Sequence, residues 1–358
     1  MNEVIRITTS SRHRTRPDNK DLGFGRVFSD HMFLLDYTTD RGWHDPRIEP
    51  YAPFSMEPAA AVLHYGQAVF EGLKAYRGVD EKVRLFRPRD HVARLERSMR
   101  RMCMPPIRAE LALESLLALV EVDREWVPRG RGTALYIRPT VIATEAYLGL
   151  RPSETFTYFV ILSPVGPYYA GELNPIKVVA FDKYSRSVPG GTGDIKTAGN
   201  YGGGLLAMEE AKKAGFDQVV WLDSLEHTYI DEIGNMNIMF RIGDEVVSPP
   251  LSDTILPGMT RDSALTLLRE WGVRVVERRI SIDEVADLSR SGRLREVWGT
   301  GTAGVICPIG EIVHRDRRIA INGNGELTTQ LYDSLLAIQY GTVPDTHGWM
   351  VEIVSRRL

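Results

Sequence analysis

Between positions 163 and 171 the chain reads Ser163-Pro164-Val165-Gly166-Pro167-Tyr168-Tyr169-Ala170-Gly171. Two prolines and two glycines this close together punctuate a chain rather than continue a regular element. Strand-type and helix-type segments alternate on both sides of the stretch. The expectation is therefore two domains, 1–163 and 175–358, joined by a connector over 164–174. On the N-terminal side, Met32–Tyr37, Ala134–Ile142 and Thr157–Leu162 read as strands. Val83–Phe86 is a short strand stopped by Pro88. Gly66–Tyr76 carries Val69, Phe70 and Leu73 at helical spacing. Asp90 is placed to cap a helix running to about Met102, and a second helix covers about Leu111 to Trp126.

On the C-terminal side, strands are expected at Lys177–Phe181, Gln218–Asp223, Thr228–Gly234, Val273–Arg278 and Arg295–Trp298. Helices are expected at Gly203–Ala214, Arg261–Trp271 and Thr328–Tyr340. Ser281 to Glu284 forms a capping box that opens another. The fold class is thus mixed α/β, with a small N-terminal domain and a larger C-terminal one.

Composition limits the function classes. An apolar fraction of 43% and a charged fraction of 25% are those of an ordinary globular protein. A formal net charge of −3 gives no general attraction to nucleic acid. The basic run Arg12-His13-Arg14-Thr15-Arg16 reads as a solvated arm. Two cysteines, Cys103 and Cys307, make no disulfide framework and fit a reducing, cytoplasmic setting. No apolar run is long enough to span a membrane, and the N-terminus lacks the apolar core of a secretory signal.

Two phosphate-type motifs fail on context. Gly190-Gly191-Thr192-Gly193-Asp194-Ile195-Lys196-Thr197 resembles a P-loop, but β-branched Ile195 stands where glycine must precede the lysine. Gly299-Thr300-Gly301-Thr302-Ala303-Gly304 matches G-x-G-x-x-G, yet a strand-like, proline-stopped stretch (Val305 to Ile309) follows where a dinucleotide site needs a helix. A small-residue turn offering backbone N–H groups to an anion survives.

Lys196 lies among Gly190, Gly191, Gly193 and Gly199, where a ligand can approach the backbone closely. Pro189 to Gly193, Lys196, and Gly199-Asn200-Tyr201 together resemble the signature of the branched-chain amino-acid aminotransferases, pyridoxal 5′-phosphate (PLP) enzymes of fold type IV. Further blocks occur in the family's order. They are Tyr65 to Gly72, Phe86-Arg87-Pro88 through Arg94-Leu95, Tyr136 to Pro139, Glu232-Ile233-Gly234, Leu256-Pro257-Gly258, and Gly301-Thr302-Ala303. The resemblance spans about Phe33 to Tyr340.

The resemblance implies roles residue by residue. Lys196 would carry the cofactor and move the proton. Glu232 would face the pyridine nitrogen, and Tyr201 the phenolic oxygen. Arg94, Met259, Thr260 and Thr302 would hold the phosphate. Leu256, Gly258, Gly301 and Asn235 would complete the cofactor's surroundings. Tyr65, Phe70, Gly72 and Tyr168 would line the substrate side-chain pocket, with Tyr136 and Arg138 near 2-oxoglutarate. Thr302 and Ala303 would meet the substrate carboxylate. Some relatives carry Cys-x-x-Cys at 304–307; Gly304 removes the first thiol here, so no thiol switch is expected.

The implied reaction is a ping-pong transfer from L-leucine, L-isoleucine or L-valine to 2-oxoglutarate, giving glutamate, by a homodimer. A pocket separates side chains differing by one methylene by only about 1–3 kcal/mol, so broad donor use is expected. D-amino-acid transaminases and aminodeoxychorismate lyases of the same fold are the alternatives within the class. The block from Tyr65 to Gly72 argues for the branched-chain type. A PLP carrier without turnover and a nucleic-acid module are the readings from other classes.

Overall fold

Alternation places Phe33 and Leu35 on one side of a strand, and both are fully buried. In the computed structural model, which describes residues 4–19, 21–166 and 173–354, the chain divides into two compact units. The first comprises Met1–Tyr168, Ile195–Ala198 and Ala337–Leu358, the second Tyr169–Asp194 and Gly199–Leu336.

The first unit contains β1 (Arg6–Ile7), β2 (His31–Thr38), β3 (Gly42–Pro50), α1 (Ala61–Tyr65), β4 (Ala68–Phe70) and β5 (Leu73–Arg77). There follow β6 (Val83–Phe86), α2 (Pro88–Arg101), α3 (Ala109–Val122), β7 (Ala134–Ala143) and β8 (Thr155–Val165). They build a sheet in the order β1-β3-β2-β8-β7-β5-β6, with β4 also on β7. Leu95 and Met99 of α2 and Leu116 and Leu119 of α3 share a core with Phe33, Leu73, Leu85 and Ile137 of the strands.

Several expectations are corrected here. Gly66–Tyr76 is not helical. A short helix ends at Gly66, whose φ of 60° is left-handed and suits glycine, and β4 and β5 follow. Every residue of β5 is buried, so no alternation marks it as a strand. α2 begins at Pro88, the favoured first helical position for proline, rather than at Asp90. Pro164 and Val165 belong to β8 rather than to a connector. Pro164 faces Leu135 of β7, while the ladder to β2 has ended at Ile161, so its missing N–H deprives no partner.

Nor does the C-terminus stay with the second unit. Met350–Glu352 pairs antiparallel with β6, and Arg124 Nη2 donates to Ile353 O over 2.8 Å. The Lys196 segment also belongs to the first unit, which is consequently the larger of the two.

The second unit contains β9 (Ile176–Ala180), all but the first residue of α4 (Ala198–Gly202), α5 (Leu205–Lys213), β10 (Gln218–Leu222), β11 (Ile230–Ile233), β12 (Asn237–Ile242) and β13 (Glu245–Ser248). Then come α6 (Met259–Glu270), β14 (Arg274–Glu277), α7 (Ile282–Arg290), β15 (Leu294–Gly301), β16 (Val305–His314), β17 (Arg317–Ala320) and α8 (Glu326–Gln339) as far as Leu336. The sheet runs β11-β10-β9-β16-β15-β12-β13-β14, with β17 on β16. Val178, Val220, Ile238, Phe240, Val297 and Ile312 form its core.

The helix expected at Gly203–Ala214 is α5, which begins at Leu205, and a separate short helix, α4, precedes it. β16 is not stopped by Pro308. That residue is the last to face β15, opposite Trp298, and from Ile309 the strand pairs with β9. Proline sits where the ladder changes partner. The capping box holds as expected: Glu284 N donates to Ser281 Oγ over 3.0 Å.

Candidate active site

The first unit gathers a polar cluster around the Lys196 main chain. Phe70 N, at the end of β4, donates to Lys196 O over 3.0 Å, and Thr197 Oγ1 donates to Ala68 O over 2.8 Å. From the other side, Lys196 N donates to Ser98 Oγ of α2 over 3.0 Å. Lys196 is half-buried, and its Nζ lies 4.7 Å from the centre of the Phe70 ring. An aromatic face this close attracts an ammonium and excludes water from one side of it.

His91, Arg94 and Ser98 repeat at helical spacing along α2, and all three are buried. Arg94 meets Glu71, which follows β4. Nε donates to Oε1 over 2.7 Å and Nη2 to Oε2 over 2.8 Å. His91 Nδ1 lies 2.7 Å from the same Oε2. Burial alone would raise the Glu71 carboxyl, but the charge and hydrogen bonds of Arg94, with those of His91, hold it well below the usual carboxylate range. His91 is pushed down, chiefly by burial.

Tyr136 and Arg138, two apart on β7, share a face as expected. Arg138 Nη2 donates to Tyr136 Oη over 3.0 Å. The guanidinium carbon lies 4.7 Å from the Phe70 ring centre, and Arg138 Nε is buried without a hydrogen-bond partner among the described residues. Gly72 lies against this pair: a Cβ there would stand 1.9 Å from Tyr136 Oη. Phe70, Gly72, Tyr136, Arg138, Arg94 and Lys196 are thus brought together. Tyr65 is not joined to them by any described contact. It is exposed, and its hydroxyl donates to Leu148 O. Tyr168 lies outside the described residues.

In the second unit, Glu232 on β11 is buried and ion-paired with Arg186, whose Nε is 2.7 Å from Oε2. Its Oε1 accepts from Asn237 Nδ2 over 3.0 Å and from Leu256 N over 3.2 Å. Gly258 lies so close to Asn237 Oδ1 that a Cβ would stand 2.1 Å away. Gly258 is the N-cap of α6, which Met259 and Thr260 open. The first N–H groups of a helix have no acceptor within it, and the dipole there favours an anion. Gly301 ends β15, and Thr302 and Ala303 form the turn to β16, all half-buried. Tyr201 is half-buried in α4, and Asn235 is exposed on the turn between β11 and β12.

Sequence reading missed Arg186 and Asn237, and it took Glu71 only as one letter of a matching block. An acid in the otherwise apolar run around Phe70 is the available signal for Glu71. Nothing local marks Arg186.

A family model of the class IV aminotransferases matches residues 68–312. Branched-chain-amino-acid aminotransferase 2 of Bacillus subtilis is 49% identical over 355 residues, covering 99% of this chain and 98% of its own. The chain belongs to the class IV aminotransferases, among the branched-chain amino-acid aminotransferases. Branched-chain-amino-acid transaminase 1 of the same organism is 50% identical over 356 residues, covering 99% of this chain and 100% of its own. The fold is shared with the Escherichia coli branched-chain amino acid aminotransferase, at a TM-score of 0.76 and 23% identity over 90% of this chain and 99% of that one. It is shared as well with the Thermobaculum terrenum enzyme solved in its PLP form, at 0.72 and 23% over 90% and 98%. The architecture is that of fold type IV, and no helix among the described residues is long and apolar enough to cross a membrane.

Proposed function

We propose that this chain transfers the amino group of L-leucine, L-isoleucine or L-valine to 2-oxoglutarate, with pyridoxal 5′-phosphate as cofactor. The observation that carries the reading is the seating of Lys196, with its main chain tied to β4 and α2 and its amine against the Phe70 ring. The residues fit a phosphorylated pyridine on two counts within single units. Glu232 is a buried carboxylate oriented by Arg186, Asn237 and Leu256 N, as the partner of a protonated ring nitrogen must be. The start of α6 offers main-chain donors for a phosphate.

Bound PLP supplies an electron sink for the charge that develops at the substrate α-carbon. Lys196 would hold the cofactor, and its amine would serve as general base for the α-proton and return it as general acid. Arg94, Met259, Thr260 and Thr302 would hold the phosphate, Tyr201 would serve the phenolic oxygen, and Leu256, Gly258, Gly301 and Asn235 would complete the cofactor's surroundings. Tyr136 and Arg138 bind the acceptor carboxylate; the unpartnered Arg138 Nε supports that role, because a buried donor calls for an acceptor. Phe70 and Gly72 would line the aliphatic pocket, a role the resemblance also gives to Tyr65 and Tyr168, and Thr302 and Ala303 would meet the α-carboxylate. The working form is a cytoplasmic homodimer.

Glutamate formed from L-leucine and 2-oxoglutarate is the direct test, with D-alanine as the competing donor. Turnover of D-alanine alone overturns the reading. Borohydride reduction followed by peptide mapping should place the cofactor adduct on Lys196; an adduct on Lys74 or Lys183 overturns the site. Light scattering should give a dimer.

A further inference from the structure

Glu71 has no part in the chemistry set out above, yet it is the most heavily bonded carboxylate of the first unit's cluster. It is 1% exposed. Its two oxygens take both donors of one edge of the Arg94 guanidinium, and Oε2 also accepts from Gly72 N over 3.2 Å and meets His91 Nδ1. A buried ion pair of this kind is about neutral for stability against well-packed apolar residues, so folding energy alone does not explain it. What two parallel hydrogen bonds do determine is the plane and direction of a guanidinium. With the Nε–Nη2 edge on Glu71, the edge carrying Nη1 is directed away from it.

The same residues tie Arg94 to Lys196. Ser98 Oγ donates to Arg94 O over 3.0 Å and accepts from Lys196 N over 3.0 Å. Phe70, the neighbour of Glu71, bonds Lys196 O. The lysine main chain and the guanidinium are therefore referred to one short piece of chain, Phe70–Glu71.

We propose that Glu71 is a positioning residue that holds the Arg94 guanidinium in register with Lys196 to receive the cofactor phosphate. The inference rests on the PLP reading. Charge alone predicts the opposite dependence. Glu71 is an anion 2.7 Å from the proposed phosphate cation, so by Coulomb's law its removal should tighten the binding of a phosphate. If Glu71 acts by position, its removal weakens binding, and only for ligands that carry the phosphate. The near-isosteric Gln is the informative change: its oxygen accepts one Arg94 donor, but its NH2 faces the other, so the fork is lost.

The test compares PLP with pyridoxal, which lacks the phosphate, on apoprotein, by titration of the cofactor absorbance. Glu71→Gln should weaken PLP binding by about tenfold to a hundredfold, by analogy with the loss when a residue orienting a metal ligand is removed, and leave pyridoxal binding unchanged. In an Arg94→Lys background the same change should cost nothing further, since no fork remains to be held. PLP binding at wild-type strength or tighter in Glu71→Gln overturns the inference. Equal weakening of PLP and pyridoxal also overturns it, as the sign of general loosening. Should Glu71→Gln fail to fold, Glu71→Asp keeps the charge but withdraws it by one methylene and must show the same selective loss; wild-type PLP affinity there overturns the proposal. A wild-type protein that takes up no PLP overturns the functional reading instead, which is a separate outcome.

Discussion

Arg186 Nε lies 2.7 Å from Oε2 of Glu232, and both side chains are almost wholly removed from water. Further Arg186 donors go to main-chain oxygens: Nη1 to Thr254 O over 2.9 Å, and Nη1 and Nη2 to Gly193 O over 3.2 and 3.3 Å. One arginine thus orients the acid and ties two loops of the second unit together. Removing one member of a buried pair strands the other charge, at a cost of about 3–5 kcal/mol. Arg186→Met should lower the urea midpoint accordingly with an unchanged slope. Arg186→Lys keeps the charge but not the fork, and should fall between the two.

Gly72→Ala puts a methyl group 1.9 Å from Tyr136 Oη. The tyrosine packs edge-on to Phe24, with ring centres 5.0 Å apart, and is bonded to Arg138, so it cannot move alone. Overpacking of this kind costs about 1–3 kcal/mol. The expected outcome is a lower melting temperature together with a raised KM for 2-oxoglutarate. A KM unchanged in a destabilised variant would separate Gly72 from substrate binding.

Lys74 is buried on β5, and burial pushes its amine down to about 8. An unfolded lysine titrates near 10.4. Below pH 8 both states carry the proton, and the penalty of burying the charge is fully present. Between about pH 8 and 10 the unfolded state binds more protons than the native one, so this group makes stability rise with pH. Lys74→Met removes that contribution. Denaturation midpoints measured from pH 7 to 10 should show the variant's advantage over wild type shrinking as pH rises; a constant difference would sink the assignment.

Ser281→Ala removes the acceptor for Glu284 N at the start of α7 and should cost about 1 kcal/mol. Chemical denaturation of the pair of proteins measures it. Ser281→Gly should cost only a few tenths of that unit.

The candidate site was legible in the linear chain as a set of short blocks. Residue type and interval marked Lys196 among its glycines, Glu232 in an apolar strand, and Tyr136 and Arg138 on one strand face, while the roles given to them came from the family resemblance. The misreadings have a common physical cause. β5 is buried on both faces and shows no alternation, and Pro88 and Pro164 are tolerated at a helix start and beside a ladder that has ended. Local rules describe the usual case, and a neighbour in space decides the exception.

By itself the sequence determined the mixed α/β class and the capping box at Ser281. These depend on interactions within a few residues, such as side-chain alternation, caps and turns. Only the tertiary structure decided which partners the buried charges take: Glu71 for Arg94, and Arg186 for Glu232. It also returned the Lys196 segment and the C-terminal strand to the first unit. A charge removed from water must find its counter-charge wherever the packed chain brings one, and sequence distance carries no record of that choice.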